Sequence, residues 1–329
     1  MKAHPRAGRR IMKVNIDMEK QIWQINGEKD GPHVLLLAGV HGDEYEPIIA
    51  LVELAEELGR TIRRGRITID PLVNAGAYAM GSRMGNDGLD LARICPGSEA
   101  GSSSEQAAYA VSERIRQADI VIDLHTGGRA FEIYPLVGYM LHPDDQVLEQ
   151  QRQLAIATGM PMIWGTDYRP DGRTLSVARD ANVPAIYMEY GGGSGFRQHV
   201  ADRYKEAVKR VLAQLGMLEV GEVVVQGWQY WREDHRRDSG YLQAKMPAPA
   251  AGIFIAEVVT GDWVAVGQRF GRVVDPYSGQ SITVFAEESG LVFLLRSLVQ
   301  VAEGDTLGGI MSVIQKEKIS IYDGESSNH

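Results

Sequence analysis

Cysteine is nearly absent. Cys95 stands alone among 329 residues, so no intramolecular disulfide can form and no cysteine-rich zinc module exists. A lone thiol suits a reducing compartment. Positive charge is also in deficit: 34 Lys and Arg face 43 Asp and Glu, a formal net charge of -9. The field of such a molecule repels nucleic acid and anionic membrane surfaces. The short basic clusters Arg63-Arg64 and Arg236-Arg237 read as solvated loops rather than polyanion sites. No apolar run reaches the roughly 18 residues of a membrane span. The opening MKAHPRAGRR is basic, but no apolar stretch follows it, so no secretory signal is expected. These absences leave a cytoplasmic enzyme or binding protein, without nucleic-acid or membrane partners.

What is present is an ordinary apolar fraction, 44%, enough to build a sizeable core. Strand-like and helix-like runs alternate over the first two thirds. HVLLLAGV from His33, GRITIDPLVN from Gly65, DIVIDLHT from Asp119, EIYPLVGYML from Glu132 and PAIYMEYGGG from Pro184 read as buried strands. EYEPIIALVELAEELG from Glu44 has helical periodicity and closes on Gly59. Further helices are expected from Ser103, from Asp144 and from Arg197. The alternation predicts an α/β fold, a mixed and mostly parallel sheet flanked by helices. We place this unit at residues 1–221.

From residue 222 to 329 the runs become short, β-like and glycine-broken. AGIFIAEVVTGDWVAVGQRFGRV from Ala251 weakly repeats in SGLVFLLRSLVQVAEGDTLGGIM from Ser289. Two repeated β units predict a small all-β barrel-sandwich domain, similar to biotinyl and lipoyl carrier domains. Those carriers present a lysine between the halves. The link here, DPYSGQSITVFAEE, has none, so the module is expected to be structural or to limit substrate access.

The stretch GVHGDEYE sets His41 and Glu44 three residues apart where a strand gives way to a helix. An imidazole and a carboxylate at that spacing can converge on one ion, and a catalytic zinc needs three protein ligands and a water. His125, at the end of DIVIDLH and before Thr126-Gly127-Gly128, is the best third ligand, since functional groups gather beyond strand carboxyl ends. Other readings compete. Gly39 and Gly42 before a helix could cradle a phosphate, but Asp43 and Glu44 would repel it. Taken alone, His41 reads equally well as a core histidine with acids favouring the helix dipole. The second motif favours a metal.

Four motifs in order, GVHGDEYEP, SRMGNDGLDLARICPG, DIVIDLHTGG and PAIYMEYGGG, resemble the succinylglutamate desuccinylase/aspartoacylase family, relatives of the zinc carboxypeptidases. They span Val34 to Gly193, and the β-rich C-terminal segment fits as well. The resemblance implies one Zn2+ per chain on His41, Glu44 and His125. It implies Glu189 as general base and proton shuttle, and Arg83 as the group that polarises the scissile carbonyl. It implies that Arg93 clamps a substrate carboxylate, that Asp90 accepts from the His41 ring and that Asp123 plays a similar orienting part.

One departure stands out. Where the family reads Asp-Leu-Asn-Arg, this chain reads Asp90-Leu91-Ala92-Arg93, and alanine offers no amide to a carboxylate. Cys95 reads as a small buried apolar residue. The segment WGTDYRPDGRTLSVARD from Trp164 reads as a polar loop before a short helix. Its Arg169 and Arg173 either face an anionic substrate or are solvated.

The expected function is a zinc-dependent amidohydrolase that removes an N-acyl group from a small amino acid or related amine. Its partner would be a small anionic N-acyl substrate, and a homo-oligomer is compatible with the sequence. Alternatives are a carboxypeptidase-like hydrolase of short peptides and a non-catalytic metal- or ligand-binding protein. Cobalt or manganese also suits the ligand set.

Overall fold

A computed structural model describes residues 14–17, 22–193, 195–218, 227–241 and 245–315. The chain enters through strands β1 (Val14–Asp17), β2 (Ile22–Asn26) and β3 (Lys29–Leu37), then helix α1 (Tyr45–Thr61). Strand β4 (Arg64–Asp70), helices α2 (Ala75–Met80) and α3 (Ser103–Arg116) and strands β5 (Ile120–His125) and β6 (Phe131–Met140) follow. Helix α4 (Asp145–Thr158), strand β7 (Met162–Thr166), helix α5 (Thr174–Asp180), strand β8 (Ala185–Gly192) and helix α6 (Gln198–Gln214) complete the α/β part.

The large sheet runs β1-β2-β4-β3-β5-β8-β6-β7 before it receives strands from the last third. Its centre, β4-β3-β5-β8, is parallel, while β2 and β6 join antiparallel, so the sheet is mixed as expected. Central strands such as Val34–Leu37 and Ile120–His125 are buried on both faces. One face packs on α1, α4 and α6 through Leu51, Leu54, Leu58, Leu154, Val208 and Val211. The other packs on α3 and α5 through Val111, Ile115, Val177 and Ala178. In α1 the buried residues Ala50, Leu51, Leu54, Ala55 and Leu58 recur every three or four positions, which gives the helix one apolar face. Pro47 sits in its first turn, where a missing N–H costs nothing.

The strand expected to reach Val40 stops at Leu37, because Gly39 adopts φ +65° and turns the chain. The segment expected as a loop from Trp164 begins inside β7, where Trp164 and Thr166 are buried and pair in parallel with β6. The polar end of the segment hid a strand whose apolar start lies upstream of it.

In the last third, β9 (Tyr230–Glu233) precedes β10 (Gly252–Ala256), β11 (Trp263–Val264), β12 (Arg269–Val274) and β13 (Ser281–Phe285). Then come β14 (Gly290–Arg296), β15 (Gln300–Val301), β16 (Gly308–Met311) and β17 (Ile314–Gln315). The sequence repeat is a structural one: β10 pairs with β12 and β15, while its counterpart β14 pairs with β16 and β11. Each half therefore lends a short strand to the other, around a core of Phe254, Phe270, Val292 and Leu307. The two parts are joined by pairing. Strand β9 adds in parallel to β7, β17 adds to β9, and β14 pairs with β6 through Leu294 and Ile133. Among the described residues no helix is long and apolar enough to cross a membrane.

Candidate active site

The parallel strands β3, β5 and β8 end on one edge of the sheet, and the chemistry collects there. After Leu37 the chain turns through Gly39 and Gly42 into α1. A Cβ on Gly42 would fall 2.0 Å from the backbone of Ala77, so only glycine lets this turn lie on α2. Glu44 occupies the N-cap position of α1 without capping it. Its carboxylate is turned inward instead. Oε1 lies 2.7 Å from Nδ1 of His41, and Oε2 lies 3.1 Å from Nδ1 of His125. The Thr126 backbone N–H donates to Oε2 at 3.0 Å. His41, Glu44 and His125 are all buried, and one ligand atom from each lies within 4.8 Å of the others. Two imidazole nitrogens and a carboxylate form a donor set able to hold a divalent metal.

The outward nitrogen of each imidazole faces a carboxylate. His41 Nε2 lies 3.3 Å from Asp90 Oδ1, and His125 Nε2 lies 3.2 Å from Asp123 Oδ2. That arrangement leaves Nδ1 of both rings pointing at the shared site. Asp90 also accepts from Arg83 Nε at 2.9 Å and from the Ala92 N–H at 3.0 Å. Asp123 accepts from the Thr174 hydroxyl at 2.6 Å. The Tyr204 hydroxyl donates to the carbonyl of His125 and so anchors that ligand from behind.

The electrostatics follow from this packing. Burial works to raise the Glu44 carboxyl, but the two imidazoles outweigh it and hold the group well below the usual carboxylate range. Burial works to lower His125, yet Asp123 and Glu44 lift it well above the usual imidazole range. Asp90 is held low because His41, Arg83 and Arg93 together outweigh its burial.

The β5–β8 register sets His125 opposite Glu189 and Asp123 opposite Tyr187. Glu189 is therefore beside the ligand set on the same face of the sheet. Its Oε2 is buried without a hydrogen-bond partner. Burial, with Glu44 and Asp123 adding to it and His125 and Arg83 opposing, pushes its carboxyl up to about 8. A half-buried acid whose inner oxygen has no partner is unusual in a structural role.

These groups line a cavity of about 270 Å³. Arg83, Arg93 and Arg173 reach it, and Phe131, Ile133 and Leu294 supply apolar wall. Arg83 Nη1 lies 3.5 Å from His41 Nδ1. The guanidinium groups of Arg93 and Arg173 lie 5.6 and 4.7 Å from the Tyr241 ring. Ala92 also lines the cavity. Arg169 does not: it bonds Asp167 at 2.6 Å and the His235 carbonyl at 3.3 Å, on a separate shallow surface. The short polar side chain of Asp167, two residues away, captures it locally, as such side chains do in loops.

The site also draws on Thr174, Tyr187, Tyr204 and Tyr241, to which the sequence motifs assign no role. Tyr187 and Glu189 share the alternation of one strand, a usable signal. Tyr241 reaches the site on a loop more than sixty residues from α5 in the chain, and no local pattern marks it.

A model of the succinylglutamate desuccinylase/aspartoacylase catalytic domain matches residues 30–215. The chain is 32% identical over 295 residues to an N-alpha-acetyl-L-2,4-diaminobutyric acid deacetylase from Halomonas elongata, covering 87% of this chain and 84% of that protein. The fold is similar to a succinylglutamate desuccinylase/aspartoacylase from Rhodobacter sphaeroides, with TM-score 0.79 and 25% identity over 90% of this chain and 89% of the other. It is similar in fold also to the product-bound ectoine utilization protein of Ruegeria pomeroyi, with TM-score 0.79 and 23% identity over 90% and 92% of the two chains.

Proposed function

This chain belongs to the succinylglutamate desuccinylase/aspartoacylase family and is an amide-bond hydrolase of the deacylase type; from that premise we propose that it is a zinc-dependent enzyme removing a short N-acyl group from a small amino acid or related amine. The observation that carries the reading is the convergence of His41, Glu44 and His125 beside the unpartnered Glu189 oxygen. The nitrogen, nitrogen and oxygen donors suit zinc, and the two Nε2···carboxylate contacts fix the ring orientation such a ligand set needs. When bound there, zinc supplies Lewis acidity to water and to a carbonyl oxygen.

The chain's own residues do the rest. Glu189 accepts a proton from the attacking water and delivers it to the leaving nitrogen, so amide plus water becomes carboxylate plus amine. Arg83, held by Asp90, stabilises the oxyanion that develops on the scissile carbonyl. Arg93 and Arg173 present cationic forks to a substrate carboxylate. Arg169 lies outside the cavity and is not part of this reading.

The peptide alternative is disfavoured by size. Leu294 of β14 and Gly240 help to wall a cavity of about 270 Å³, room for a small molecule rather than a chain. The non-catalytic alternative gives no reason for the open Glu189 oxygen. A cytoplasmic setting is part of the proposal, supported by the single buried, unpaired Cys95. The name of the Halomonas relative makes N-acetyl-2,4-diaminobutyrate the first substrate to try.

The test is amine release from a panel of N-acyl amino acids and N-acyl diamines by zinc-loaded protein and by its Glu189→Gln variant. Release by the wild type, reduced about a hundredfold or more in the variant, is the expected result. No release from any member at stoichiometric zinc, or equal release by both proteins, would overturn the reading.

A further inference from the structure

Tyr187 stands two residues before Glu189 on β8, so both side chains leave the strand on one face, and both line the cavity. Gly138 on β6 pairs with Tyr187. A Cβ at Gly138 would fall 2.3 to 2.4 Å from Cζ, Cε1 and Oη of the tyrosine. The phenol ring therefore occupies space that any side chain at 138 would take. Its hydroxyl makes no hydrogen bond among the described residues. Burial and the Glu189 carboxylate hold the phenol above its ordinary value against the influence of Arg173, so the hydroxyl remains a donor.

Arg173 brings a complementary surplus from the start of α5. Its Nε and Nη2 are buried and have no hydrogen-bond partner. Its guanidinium and that of Arg93 share the Tyr241 ring, which fixes both at the cavity. Ala92, beside Arg93 on the cavity wall, contributes no polar side-chain atom. Open N–H groups of a guanidinium and an open neutral O–H make a surface of donors, and a carboxylate is the group of matching chemistry.

We propose that Tyr187 is a specificity-determining residue whose hydroxyl donates to the carboxylate on the amine half of the substrate, alongside Arg173 and Arg93. The inference rests on the deacylase reading above. It predicts a preference for acids over neutral amides of the same shape, lost when the hydroxyl is removed.

The experiment compares N-acetyl-2,4-diaminobutyrate with its α-carboxamide on zinc-loaded wild type, Tyr187→Phe and Arg173→Gln. Steady-state rates are measured, together with calorimetric binding of the deacylated acid and its amide, which needs no turnover. Expected for Tyr187→Phe is a rise of about 10- to 100-fold in KM and in product Kd for the acid. The change in kcat should stay within about threefold, and the amide should be unaffected. Arg173→Gln should show the same selectivity for the acid. Removing a hydroxyl that bonds nothing leaves the fold intact, and an unchanged Tm checks this. Equal losses on acid and amide would overturn the proposal, as would a fall in kcat with a shifted pH profile and constant KM, which would make Tyr187 a positioning residue for Glu189. A wild type that binds acid and amide alike overturns it too. Amine release by that same protein bears separately on the deacylase reading.

Discussion

Replacing Glu189 with glutamine should make the enzyme slower and the metal-free fold firmer. The carboxyl is lifted from its ordinary 4.5 to about 8, first by burial and then by Glu44 and Asp123. A lift of that size penalises the charged form by about 5 kcal/mol at most. The sign is that of a raised acid: the fold prefers the neutral form, so the penalty is absent below about 4.5 and grows as pH rises toward about 8. Glutamine keeps the shape and carries no charge, but its unpaired amide costs about 1–3 kcal/mol. The expected net gain is roughly 2–4 kcal/mol above pH 8, falling to nothing or reversing below about pH 5. Urea unfolding of chelator-treated wild type and variant at the two pH values measures it. Amine release measures the other half: loss of a general base should lower kcat by about 10²- to 10⁴-fold, or about 3–5 kcal/mol of barrier. A variant that keeps more than about a tenth of kcat, or that gains no stability at high pH, would refute the argument that a carboxylate with an unpartnered, buried oxygen is retained here for proton transfer.

Three further outcomes are expected. Arg83→Gln should lower kcat by about 10²- to 10³-fold with little change in KM, since its interaction is made with charge that develops in the transition state; a pure KM effect in the same assay would place Arg83 in ground-state binding instead. Zinc affinity should rise by up to about tenfold per pH unit as pH rises toward the elevated His125 value, because that imidazole must lose its proton to act as a ligand, whereas Glu44 is already ionised. Chelator competition across pH reads this, and a flat profile would contradict the His125–Asp123 and His125–Glu44 pairing. Tyr204→Phe should cost about 1–2 kcal/mol of stability, since the hydroxyl of the fully buried residue donates to the His125 carbonyl, with the Tyr190 carbonyl 3.3 Å away; thermal unfolding measures the loss, and an unchanged Tm would remove the anchoring role.

Much of this arrangement is legible in the chain, because it rests on local patterns. Apolar runs such as Val34–Leu37 and Ile120–Leu124 have no way to be stable except between two layers, and they are the buried central strands. His41 and Glu44 are neighbours by spacing alone, and the internal repeat announced the paired β units of the last third. Other features were hidden for the same reason. β7 ends in polar residues and is held by its parallel partner β6, and β9 is recruited to the large sheet from beyond the point where the composition changes.

Residue types along the chain mark the groups able to do chemistry: two histidines and a glutamate fit for a metal, an acid set in an apolar strand, and arginines in an otherwise acidic chain. Which of them meet is set by the folded chain. The parallel register placed His125 beside Glu189, Gly138 left room for the Tyr187 ring, and Tyr241 gathered Arg93 and Arg173. Arg169, four residues from Arg173 in the chain, was turned away to Asp167. Residue type fixes donor, acceptor and charge, which need no partner to be read. Proximity across a sheet depends on pairings between segments far apart in the chain, and it exists only once the chain has closed on itself.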